Sequence, residues 1–93
     1  MRESEFRRYL EGQSLCVNGV VARLYWCKRV EGDFGVDLED VAESETKMQK
    51  LRRAVYDNEK YTWRQRRNFP NALKKYFEFV NGYELPRLNR KNL

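Results

Sequence analysis

The chain contains no histidine, and of its 93 residues only two are cysteine and two proline. Without histidine there is no Ser–His or Cys–His dyad, and two cysteines alone cannot assemble the usual structural zinc sets. The five glycines stand apart from one another, so no glycine-rich phosphate loop is written here. No apolar run approaches the eighteen or so residues of a membrane span, and MRESEFRRYL lacks the apolar segment of a signal peptide. These absences lead us to expect no enzymatic chemistry, no metal, no cofactor, no small-molecule substrate and no membrane partner. The expected location is cytoplasmic, with Cys16 and Cys27 as free thiols.

What is present is charge, and it is segregated. Residues 13–30 sum to +3, residues 31–50 to −5 and residues 51–93 to +7, within an overall +5. A basic C-terminal half set against an acidic middle is the electrostatic footprint of a phosphate-binding face. The acids of 33–45 lack the alternation and central glycine of a calcium loop, and read as a solvated connection facing away from any polyanion.

Periodicity predicts helices throughout, giving an all-α fold, a compact four- to five-helix bundle over residues 1–82 followed by a basic tail, 83–93. The first helix spans 3–11, with Phe6 and Leu10 (or Tyr9) as its inner side and Gly12 as its stop. In the second, about 14–33, Val17, Val20, Val21, Leu24 and Cys27 share the core side, while Ala22, Arg23, Trp26 and Arg29 lie opposite. Trp26 there either packs against a neighbouring helix or waits for a ligand. Gly32 and Gly35 punctuate the chain before a short helical turn in GVDLEDV. Ser44 caps a helix over 45–57 with Met48, Leu51 and Val55 inside and Lys50, Arg52 and Arg53 beside them, and Asn58 is its left-handed stop.

The last helix begins at a T-x-x-Q capping box, Thr62 to Gln65, and ends at Asn81 and Gly82. At 100° per residue, Phe69, Ala72, Leu73, Tyr76 and Val80 share the inner side. Arg64, Arg67, Asn71, Lys74 and Lys75 share the outer one. Pro70 sits inside this pattern, so the helix either kinks and continues or restarts there.

These residues resemble the N-terminal core-binding, or SAM-like, domain of phage integrases and other tyrosine recombinases. The likeness lies in FRRYL, in SLCVNGVVARLYWCKRV, in the short GVDLEDV turn, in KMQKLRRAV and above all in NALKKYFEFVNG, and covers about residues 3–82. It implies a SAM-like bundle that clamps one side of a DNA duplex through its second and last helices. Carried over residue by residue, the DNA-contacting set is Arg23 and Arg29 on the former, and Thr62, Arg64, Arg67, Asn71, Lys74 and Lys75 on the latter. The chain departs from the pattern at Pro70 and Gly19, and has no histidine for the catalytic half of such recombinases.

The expectation is therefore a non-catalytic module for double-stranded DNA, its cations neutralising phosphates and Asn71, Arg67 or Arg64 reaching base edges. Five or six engaged cations would give a log K against log salt slope near −5. The alternative is a small phage- or mobile-element-encoded protein-interaction or inhibitor module on the same helical fold. It would dock on a recombinase, restriction or host complex through Trp26, Tyr61 and Trp63, together with the acidic connection.

Overall fold

Glu3 and Glu5 place negative charge at the positive end of the first helix, α1 (Glu3–Glu11), whose Phe6 and Leu10 are fully buried. This is the first element of a computed structural model describing residues 1–86. Among the described residues every regular element is helical: α2 (Val17–Phe34), α3 (Leu38–Val41), α4 (Glu45–Tyr56) and α5 (Trp63–Asn81) follow. The domain is an all-α bundle in which α5 is central, flanked by α2 on one side and α4 on the other, with α1 lying along α2.

Local signals account for most of the boundaries. The Thr62 hydroxyl accepts from the Gln65 amide at 3.2 Å while the Gln65 side chain accepts from the Thr62 amide at 2.9 Å, completing the capping box of α5. Ser44 caps α4 by accepting from the Lys47 amide, and Asp37 caps α3 by accepting from Glu39. Gly82 (φ 78°) and Gly35 (φ 64°) close α5 and α2 in the left-handed region that glycine adopts without a Cβ penalty.

α2 differs from its periodic reading in three respects. Its N-cap is Cys16, whose sulfur accepts from the Gly19 amide at 3.4 Å, so the helix starts three residues later than expected. Gly32 lies within the helix instead of punctuating the chain, and Gly35 alone ends it. Its core face is Val20, Leu24, Cys27 and Val30, whereas Val17 and Val21 are 78% and 48% exposed. Two neighbours, α1 and α5, pack against the side centred near Cys27, which turns Val17 and Val21 outward.

Two further corrections are local. α4 stops at Asp57 in ordinary right-handed geometry, and Asn58 instead accepts from the Lys60 amide in an Asx-type turn. Arg52, expected beside the buried stripe, is itself in it, 6% exposed. Its Nη1 donates to the Gln49 side chain at 2.9 Å, and burial holds its pKa below the usual arginine value.

α5 runs unbroken through Pro70, so the chain does not restart there. The proline lacks an amide hydrogen for the Arg66 carbonyl, and its ring is buried in the core. Around it, Phe69 meets Tyr61 edge-on at 5.1 Å and Trp26 at 6.5 Å, and nearer α1 the Phe6 and Tyr76 rings meet edge-on at 4.9 Å. Packing continues past Gly82: Tyr83 stacks edge-on against Phe77 at 5.3 Å, Leu85 is buried and Gln49 donates to the Pro86 carbonyl. Arg87, Arg90 and Lys91 of the expected basic tail lie outside the described residues. Cys27 is wholly buried, and its thiol donates to the Ala72 carbonyl on α5 at 3.5 Å.

Candidate nucleic-acid interface

An amphipathic helix whose inner side is filled by Phe69, Ala72, Leu73 and Tyr76 must turn the opposite arc to solvent, and on α5 that arc is cationic. Arg64, Arg67 and Asn71 are exposed and Lys74 is half-buried. At spacings of three, four and three residues they fall within about 80° of arc, and ten residues of helix rise carry the stripe over roughly 15 Å. That length matches about four base-pair steps of duplex axis. Arg64, Arg67 and Lys74 form no ion pair among the described residues. The stripe rests on a helix held at its start by the capping box, at its end by Gly82 and along its inner side by the core.

Trp63, 65% exposed, begins this face. The Arg67 guanidinium lies 5.1 Å from its ring centroid, a cation–π contact one helical turn long that presents the guanidinium beside a flat aromatic surface. Lys60 is a further exposed cation in the turn just ahead of α5. Sequence pattern does not mark it, because a turn has no periodicity to say which way a side chain faces.

The remaining candidates are placed differently. Thr62 spends its hydroxyl oxygen on the helix cap. Lys75 donates to Gln13 at 3.0 Å and pairs with the buried carboxylate of Glu78 at 3.4 Å, because the α1–α2 connection lies over this part of α5. On α2, Arg23 is half-buried and donates to the Gly19 carbonyl at 3.0 Å. Arg29 pairs with Asp33 at 2.9 Å, and its guanidinium lies about 6.0 Å from the Phe69 ring centroid. The structure thus brings four of the eight candidates onto one open stripe and ties Arg29 and Lys75 to acids of their own chain.

Of the aromatic candidates only Trp63 faces outward. Tyr61 is 7% exposed, and its hydroxyl donates to Asp33 at 2.5 Å. Trp26 is half-buried against Phe69.

The acidic connection is also more structured than a solvated loop. Asp37, together with Glu31 of α2, pairs with the Met1 amine, and Glu39 takes both Arg2, at 2.9 Å, and the Tyr76 hydroxyl. Burial alone would raise the Glu39 pKa, yet the hydrogen bonds from Tyr76 and Arg2 outweigh it and hold the group below the ordinary glutamate value. The Tyr61 hydroxyl, followed by Arg29, does the same for Asp33.

Both carboxyls therefore have folded pKa values below their unfolded ones. The stability they add is present above the unfolded pKa and is lost as the pH falls through the folded one. The melting temperature is expected to drop steadily below about pH 4.5, and Glu39→Gln to flatten part of that dependence. Circular dichroism melts over a pH series check this. Acid melting identical in the two proteins would remove Glu39 from the account.

Comparison with family models, with curated proteins and with solved structures finds no match to this chain. A functional reading thus rests on the placement of these side chains.

Proposed function

We propose that the chain is a non-catalytic DNA-binding module of the cytoplasm that lays the outer face of α5 along duplex DNA, in the manner the resemblance to recombinase core-binding domains implies. The observation that carries the reading is the row of Arg64, Arg67 and Lys74, unpaired among the described residues, on one exposed side of a helix whose other side is core. Cations so placed neutralise phosphates and release condensed counterions. Asn71, between Arg67 and Lys74 on the stripe, carries the donor–acceptor pair that matches the adenine major-groove edge. Arg67 has the fork that matches guanine.

With Arg29 and Lys75 neutralised internally, three or four phosphate contacts are expected, and a log K against log salt slope of about −2.7 to −3.6. Affinity for random duplex should be on the order of micromolar or weaker at physiological salt. Fluorescence anisotropy with a labelled random-sequence duplex tests the reading. Between 50 and 200 mM salt the affinity should fall roughly 40- to 150-fold. Binding indifferent to salt, or no binding even at the lower salt, defeats it.

Failure in that form would favour the protein-interaction reading, for which the exposed indole of Trp63 is the remaining anchor, since Trp26 and Tyr61 pack inward.

A further inference from the structure

The first half of α2 turns three large apolar side chains to solvent. Val17, Val21 and Tyr25, at i, i+4 and i+8, are 78%, 48% and 56% exposed and form a continuous stripe. Beside it, between α1 and α2, opens a recess of about 90 Å³ lined by Leu15, Val17, Val20 and Val21, with Arg7 and Glu11 at its rim. Scattered surface apolars are ordinary, but here three lie on one helical line next to a hollow of roughly a valine side chain's size.

We propose that this face binds a second copy of the chain, α2 against α2 in antiparallel two-fold contact, with α1 of each copy alongside. The argument is charge. Arg7 and Glu11, both exposed and both lining the recess, stand one turn apart on α1 with opposite signs. Lys28, at the far end of the stripe, is already paired with Glu3 of α1 at 2.6 Å. A strongly acidic or basic partner would meet a like charge on such a rim. A copy of the same surface turned about a two-fold axis passing midway between Arg7 and Glu11 sets each arginine opposite the partner's glutamate. That operation also brings the two valine stripes together, each offering a knob to the other's recess.

The contact draws on one face of α1 and α2 in each copy, an interface at the low end of the size range for specific association, so a weak, reversible dimer is expected. Its residues do not overlap the α5 stripe, so this inference does not depend on the DNA reading.

Sedimentation equilibrium of the full chain over a wide concentration range tests it. The expected result is a monomer–dimer equilibrium that Val21→Glu weakens at least tenfold, with helicity and melting temperature unchanged. Val17→Glu, at the most exposed position of the stripe, should do the same and serves should Val21→Glu perturb folding. Arg7→Glu alone should weaken association and Arg7→Glu with Glu11→Arg should restore it, which a merely sticky apolar patch would not do. A chain monomeric throughout, or a dimer indifferent to both valine changes or unrescued by the charge exchange, overturns the proposal.

Discussion

Phe69→Ala is expected to lower stability by about 3–5 kcal/mol, a large share of the 5–15 kcal/mol typical of a whole domain. Phe69 is 1% exposed at the junction of α2, α5 and the turn that precedes α5. Its ring is the shared neighbour of Tyr61, Trp26 and the Arg29 guanidinium. Truncation would leave a cavity beside Pro70, where one helix hydrogen bond is already missing and the backbone has least to hold it. It would also loosen the seat of Tyr61, whose hydroxyl fixes Asp33 and, through it, Arg29. A melting temperature lower by roughly 15–30 °C is the expected reading for a domain of this size. Phe69→Leu, which keeps most of the volume, should cost much less. A loss below about 1 kcal/mol for the alanine variant would mean that this cluster does not hold α2 to α5.

Reversing two charges of the α5 stripe, Arg67→Glu with Lys74→Glu, should have the opposite profile: duplex binding disappears while folding is untouched. On the proposed DNA reading the pair of changes would replace two attractive phosphate contacts by two repulsive ones, so with three or four contacts in all the affinity should fall by more than about 100-fold. Neither residue forms an ion pair among the described residues, and the cation–π contact of Arg67 with exposed Trp63 contributes about 0.5–1 kcal/mol at most. Thermal unfolding should therefore stay within about 1 kcal/mol of the parent. Lys75→Gln is the internal comparison, since its ammonium is held by Gln13 and Glu78; it should alter DNA binding by less than about threefold. Retained binding in the double variant would place the interface elsewhere. Unfolding would mean that the face described as outer supports the core.

Much of this arrangement is legible in the residues themselves. The starts of α1, α4 and α5 and the end of α5 follow from signals within one turn of each boundary: acids at Glu3 and Glu5, Ser44, the Thr62–Gln65 box and Gly82, whereas Asn58 misplaces the end of α4. The outer face of α5 follows as the complement of its aromatic stripe. α2 was harder to read because Val17 and Val21 obey the same i, i+4 spacing as Val20 and Leu24. Which arc is covered depends on where α1 and α5 dock, and that is a non-local matter. Cys16 as a cap carries a weak signal, since sulfur is a poor acceptor beside the oxygens of Ser or Asp. Neutralisation of two candidates was partly visible, as Arg29–Asp33 at i, i+4 and Lys75–Glu78 at i, i+3 are ordinary helical pairings. The Lys75–Gln13 bond joins residues 62 apart and could come only from the folded chain.

The two thiols stand in contrasting surroundings. Cys16 is exposed, whereas Cys27 is enclosed, hydrogen-bonded to α5 and pushed by burial far from the thiolate form that reacts with electrophiles. One alkylating reagent would thus modify the first at once and the second only when α2 parts from α5. The domain carries its own clock for how often its centre opens, with no dye or engineered label required.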